Sequence, residues 1–250
     1  MKGPGFIPRL ATVVCLILGV VAAFLPAAPA SAMTYEEERK LGRSILAYFQ
    51  EHVEFVDDPA VTAYVNGLGR KILARLGPQP FEYRFFVIKS EAINAFAAPA
   101  GYVFLNSGTL VQLQTEGQLA AILSHEIAHV TGRHMARRIE NNKKLNWATV
   151  AGILAGTLLG GAPGAAVAMG SVGANMSAQL AFSREDEREA DRKGLEYLQA
   201  AGYSPQDMAG AFEIMFQSSY HQPQDIPSYF TTHPGLGERI SAIRASAGEG

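Results

Sequence analysis

Apolar residues recur at helical spacing between Tyr35 and His52, at Leu41, Ile45, Tyr48 and Phe49, and predict a first helix there. The next helix is better delimited, because Asp58 can cap it, Pro59 suits its first turn and Gly77-Pro78 stops it. The period then changes. FEYRFFVI, residues 81–88, is aromatic and β-branched, and YVFLN, residues 102–106, repeats that character after the intervening NAFAAPAG. Both read as strands of a small sheet. Thr115-Glu116-Gly117-Gln118 has the T-x-x-Q form of a capping box, in which the hydroxyl and the glutamine side chain satisfy free backbone N–H groups at a helix start. SPQD, residues 204–207, is another such start, with Ser204 as the cap, Pro205 in the first turn and Asp207 closing the box.

Between these two starts the pattern loses its polar half. From Trp147 to Leu180 no residue is charged, and Gly160-Gly161-Ala162-Pro163-Gly164 divides the run into two Ala/Gly-rich halves. Each half is shorter than the roughly 20 residues a helix needs to span a bilayer. A close-packed helical hairpin is the first reading, with contact to a membrane and a lid over a site as the alternatives. Neither an internal repeat nor a Pro/Ser-rich linker interrupts residues 33–250, which read as a single domain.

Residues 1–32 stand apart. Lys2 and Arg9 flank the start of an apolar core from Leu10 to Leu25, and Ala30-Ser31-Ala32 fits the small-residue cleavage rule of a secretory signal peptide. Export follows, with the periplasm as the first destination and secretion or attachment to the membrane as alternatives. Cys15, the only cysteine, lies in this segment, so a cleaved chain has no thiol for disulfides or cysteine metal sites. Cleavage also removes two basic residues and no acidic one, moving the formal net charge from −2 to −4. Beyond a short RR and KK near residues 137–144 there is no basic stripe, and nucleic acid is not expected as a partner.

The candidate chemistry lies in SHEIAHVTGRH, residues 124–134. His125 and His129, four apart on a helix, project from one face about one turn apart and can share a single Zn²⁺. Glu126, beside the first of them, can reach a water on the metal and take its proton as that water attacks a carbonyl carbon. A catalytic zinc needs three protein ligands and one open position. The pattern HExxHxxGxxH would take its third histidine from position 135, where this chain has Met135. His134 is one residue early and, on a continuing helix, off the shared face, so it reads as structural or as a polar contact near the site. The more distant source is SREDEREAD, residues 183–191, from which a carboxylate on a crossing helix can complete a His₂Glu site. Glu185, Glu187 and Glu189 all compete for that role. If Glu187 fills it, Asp191 stands one turn on and can bond the free ring nitrogen of a ligand histidine.

HEIAHVTGRH, SREDEREAD and TTHPGLGERI, in that order, resemble the successive motifs of the zinc metallopeptidases of peptidase family M48, which include HtpX-type and CAAX-prenyl-protease-type enzymes. The resemblance runs from about Asn94 to Ile240. It implies an α+β, mainly helical, zincin-like (gluzincin) domain with a small sheet whose edge strand lies above the HExxH helix. It also implies one zinc per chain on His125, His129 and Glu187, with Glu126 as general base and acid and Asp191 supporting a ligand from behind. His233, in Thr232-His233-Pro234, matches a family histidine near the metal that helps stabilise the transition state or, in latent forms, fills the open position. Arg239 matches an arginine that orders the site or holds the polarised carbonyl. NAFAAPAGYVFLN matches the family's substrate edge, so Asn94, Ala95, Phe96, Tyr102, Val103 and Phe104 are expected to receive a peptide as an added β-strand. The function these features imply is an exported zinc endopeptidase acting on polypeptide, in unfolded or misassembled envelope proteins, with membrane-surface or envelope-protein contact. The alternative is a metal-filled but plugged module that holds such proteins without turnover. Oligomeric state is left open by the sequence.

Overall fold

A computed structural model of the chain describes residues 33–142, 147–159, 181–218, 229 and 232–248. The signal-peptide segment and the second half of the uncharged run lie outside the described residues.

The first helix, α1 (Tyr35–His52), opens on a full capping box. Thr34 Oγ1 accepts from Glu37 N at 3.2 Å and the Glu37 carboxylate accepts from Thr34 N at 2.8 Å. Asp58 caps α2 (Pro59–Leu73) by accepting from Ala60 N at 2.8 Å. The chain then enters a three-stranded sheet of β1 (Arg84–Ile88), β2 (Ala95–Ala98) and β3 (Tyr102–Asn106), in the order β1-β3-β2. β1 pairs parallel with the central β3, with Phe86 opposite Phe104, whereas β2 is antiparallel to β3, with Phe96 opposite Phe104. Ala100 and Gly101, at φ 66° and 88°, make the left-handed turn that folds β2 back onto β3.

Strand residues alternate between two cores, as the period of two requires. Phe85, Val87, Ala95, Ala97, Val103 and Leu105 join one core with α2 and most of the later helices. Ile88, Phe96, Ala98 and Phe104 join the other, with Ile45 and Phe49 of α1. Both faces are therefore covered, which is why these strands read as continuous apolar runs.

After β3 come α3 (Ser107–Gln112), α4 (Glu116–Thr131), α5 (His134–Asn141), α6 (Trp147–Leu159), α7 (Arg184–Ala200), α8 (Pro205–Ser218) and α9 (Leu236–Gly248). The T-x-x-Q box at α4 is realised in altered form: Thr115 accepts from Gln118 N, but the Gln118 side chain accepts from Gln114 N at 2.7 Å rather than from Thr115 N. At α8, Ser204 Oγ accepts from Gln206 N, and Asp207 completes the return bond to Ser204 N. The first half of the uncharged run is α6, whose Val150, Ala151, Ile153, Leu154 and Ala155 pack into the α1 core. No helix among the described residues is long and apolar enough to cross a membrane.

Candidate metal centre

Helix α4 is buried on every side from Leu119 to Val130, so its histidines and glutamate stand in the core rather than on a surface. Burial of polar groups is costly unless they find partners. Their partners come from α7, which crosses α4 closely. A Cβ on Gly194 would lie only 3.1 Å from His125 Cα, so the crossing depends on that glycine. Ser183 and Asp186 form a capping box that starts α7 at Arg184 and sets its rotation. Glu187, Asp191 and Gly194, at i, i+4 and i+7, then share the face against α4, while Glu185 points to solvent. That rotation selects Glu187 from the three competing glutamates.

Four donors meet at the crossing: His125, His129, Glu187 and His233 each offer one atom, all within 4.8 Å of one another. His125 Nε2 lies 3.0 Å from His129 Nε2 and 3.5 Å from Glu187 Oε2, and His129 Nε2 is 3.5 Å from Glu187 Oε1. His233 turns Nδ1 toward the group, 3.0 Å from Glu187 Oε1 and 3.4 Å from His125 Nε2. Its other nitrogen faces Glu126, with Nε2 3.7 Å from Oε1. Both Glu126 carboxylate oxygens are buried and without a hydrogen-bond partner among the described residues, a costly arrangement. Two imidazoles, one carboxylate and a third imidazole, buried together without thiols, form a donor set suited to zinc.

A second layer holds the donors in place. Asp191 Oδ1 stands 3.1 Å from His125 Nδ1, the nitrogen turned away from the cluster. Arg239 donates from Nε and Nη2 to the two oxygens of Asp191, both at 2.7 Å, and lays Nη1 against Glu187. Burial alone would raise the pKa of the Glu187 carboxyl, but His233 and Arg239 beside it hold it well below the ordinary range. Asp191 is lowered too: burial opposes this, but Arg239 and His125 outweigh it. His125 also departs from its burial trend, since the Asp191 and Glu187 carboxylates lift it to about 9. Burial pushes Glu126 up and His129 well down.

All seven residues expected at the metal, His125, Glu126, His129, Glu187, Asp191, His233 and Arg239, meet here. His134 also takes part, though not as a donor to the cluster: its Nδ1 lies 2.8 Å from His129 Nδ1. The helix does not continue to it, because Arg133 adopts φ 52° and starts a new helix. The six residues expected to receive a peptide do not share one strand edge. Tyr102, Val103 and Phe104 belong to the central strand β3, whose backbone is paired on both sides, so they offer no edge. The outer side of β1 is occupied as well: Asn66 exchanges bonds with Phe85 O and N, and Val56 N and Lys89 N bond across the Glu54–Val56 segment. Ala95 and Phe96 do lie on the edge strand β2, directly after Asn94, but the Phe96 ring packs into the α1 core. Two aromatic residues escaped the sequence reading. Phe182 stacks on His129 at 3.9 Å between ring centres, and Tyr229 stacks on His233 at 4.3 Å.

An HExxH helix crossed by a glutamate-bearing helix, with a buried and unpartnered carboxylate beside the donors, is the arrangement of a zincin-type metal centre. Residues 59–247 match the model of Peptidase family M48, and the chain belongs to that family, whose peptidases use zinc. It is 32% identical over 220 residues to the "Putative beta-barrel assembly-enhancing protease" of Vibrio cholerae serotype O1, an alignment covering 87% of this chain and 45% of that protein. The "Beta-barrel assembly-enhancing protease" of Escherichia coli K12 is 29% identical over 222 residues, covering 88% of this chain and 45% of that protein. "Metalloprotease LoiP" of the same strain is 29% identical over 184 residues, covering 74% of this chain and 68% of that protein. The chain spans less than half the length of the two assembly-enhancing proteases.

Proposed function

We propose that this chain is a zinc-dependent endopeptidase acting on polypeptide in the bacterial envelope, and that His233 holds it in a latent form. The observation that carries the reading is the meeting of His125, His129 and Glu187 beside the unpartnered Glu126 carboxylate. His125, His129 and Glu187 would hold the zinc, which when bound would supply a Lewis acid for the scissile carbonyl and lower the pKa of water from about 16 toward 7. Glu126 takes the proton of the attacking water and returns it to the leaving amine. Burial raises its pKa, the direction that favours a carboxylate which takes up a proton and gives it back. Asp191 and Arg239 keep His125 and Glu187 oriented throughout.

His233 offers a fourth donor atom, whereas a catalytic zinc site keeps one position open. Catalysis then requires the 232–234 segment to withdraw, and Gly235, at φ 78°, gives the chain a left-handed joint immediately after it. Ala95–Ala98 of β2 are buried in this structure, so addition of an extended peptide along that strand, which would suit substrates that have lost their folded structure, would require β2 to be uncovered first. Envelope proteins are the proposed substrates because two relatives carry names tied to β-barrel assembly and because residues 1–32 read as an export signal. The decisive experiment pairs zinc content with cleavage of an unfolded protein. Glu126→Gln is expected to keep the metal and lose on the order of 10²-fold or more in turnover. Turnover retained in that variant would remove Glu126, and this mechanism, from consideration.

A further inference from the structure

His125 and His129 sit on one helix and face one cluster, but they are supported from behind in different ways. His125 has a carboxylate, Asp191, 3.1 Å from its outer nitrogen. Behind His129 stands a second imidazole, with His134 Nδ1 2.8 Å from His129 Nδ1. The far side of that imidazole meets acid: His134 Nε2 lies 3.3 Å from Glu189 Oε2 and 3.9 Å from Asp186 Oδ1. Glu189 is in turn fixed by Lys193, whose Nζ donates to its other oxygen at 2.6 Å.

The local chain is shaped to hold this ring. Arg133 takes the left-handed conformation, at φ 52°, which breaks the helix and turns His134 back toward His129. Arg133 is tied down by a 2.7 Å bond from Nε to the buried Glu38 carboxylate on α1. Gly132 leaves the space the ring fills, since a Cβ there would come within 2.3 Å of His134 Nε2. The ring itself is buried at 1% exposure.

Two imidazole nitrogens at 2.8 Å can share only one proton, and this fixes the tautomers. If His129 gives Nε2 to the metal, its Nδ1 carries hydrogen and donates to His134 Nδ1. His134 must then carry its hydrogen on Nε2, where the Glu189 carboxylate accepts it. Every member has one role, and the polarity runs one way from the donor cluster to the acidic pair on α7.

We propose that His134 is a positioning residue for zinc binding, extending the usual histidine–carboxylate support of a metal ligand by one imidazole so that Glu189 fixes the tautomer of His129 through it. The inference rests on the metal-centre reading above, and its test reads zinc affinity rather than cleavage. Partners of this kind typically change metal affinity by 10- to 100-fold when removed.

Leucine and asparagine at position 134 have nearly the same shape, but only asparagine can place an acceptor oxygen where Nδ1 stands. Zinc dissociation constants are measured on the purified protein by competition with a chromophoric chelator for wild type, His134→Leu, His134→Asn and His129→Ala, with thermal unfolding of the metal-stripped forms as a check on folding. The expected result is binding about 10- to 100-fold weaker in His134→Leu and largely restored in His134→Asn. A leucine variant within twofold of wild type, or an asparagine variant as weak as leucine, overturns the inference while leaving the metal centre standing. If wild type binds no better than His129→Ala, the metal centre itself fails, and the inference with it.

Discussion

Replacing Arg239 with methionine keeps the length and apolar stem of the side chain and removes its charge. In the native arrangement the guanidinium donates twice to Asp191 at 2.7 Å, rests on Glu187 and lies 4.8 Å above the Phe212 ring. Asp191 and Glu187 are 7% and 0% exposed, so water cannot take the place of the lost cation. Breaking a buried ion pair from one side costs about 3–5 kcal/mol, because it strands the remaining charge. The desolvated ring contact adds about 2 kcal/mol. Against a domain stability of roughly 5–15 kcal/mol, the metal-stripped variant should be marginal. Zinc at about 100 times its dissociation constant returns about 2.7 kcal/mol by mass action, and the added cation sits beside the stranded Glu187. Urea unfolding followed by circular dichroism, with and without zinc, measures both effects. A cycle with Asp191→Asn isolates the pair, with an expected coupling in the upper part of the 0.5–3 kcal/mol range found for neighbours. A loss below about 1 kcal/mol for Arg239→Met in the stripped protein, or additive single losses in the cycle, would refute the argument that this arginine balances the buried acids.

Four further outcomes are expected. His233→Ala should raise cleavage of an unfolded substrate about tenfold if the closed form is favoured by some 1–2 kcal/mol, and a fall in activity would mean that His233 serves the reaction rather than blocking it. Because the His125 pKa is raised to about 9 and a ligand imidazole must be neutral, zinc affinity should climb roughly tenfold per pH unit from pH 7 towards 9 and then flatten. In the stripped protein the same group contributes stability that is complete below its unfolded pKa of about 6.5 and lost as pH rises through 9; chelator competition and urea midpoints at pH 6, 7, 8 and 9 check both signs. Gly194→Val should force α7 away from His125, costing about 1–3 kcal/mol and weakening zinc binding, and unchanged zinc affinity would show that the close crossing does not set the site.

The helices with strong caps were legible in the sequence because their signals are local. Asp58-Pro59 and Thr115 each place a side-chain acceptor at the expected start, and HExxH needs only helical spacing to bring two histidines together. Strand β2 was not legible from periodicity, since Ala-Phe-Ala-Ala lacks the β-branched residues that mark strands and pairs only because β3 offers an edge. Spacing alone left the third donor open among three glutamates; the family resemblance pointed to Glu187, and the rotation of α7 brings that residue to the cluster. Gly194, a glycine inside an otherwise good helical stretch, was the available hint of a close crossing. His134 illustrates the other kind of difficulty: Gly132, the C-cap, is a local stop signal, but the role of His134 depends on a left-handed Arg133, which that residue type does not announce. The stacking of Phe182 and Tyr229 on the histidines is tertiary, with no local signal.

The donors come from places far apart in the chain: His125 and His233 are separated by 108 positions, and Glu187 and His233 by 46. Contacts that distant form only after the intervening segments have found their places, since long loops must close before such contacts stabilise anything. A chain still unfolded therefore carries its HExxH sequence without the assembled donor cluster. The cluster is a product of the tertiary fold, not of the HExxH stretch alone.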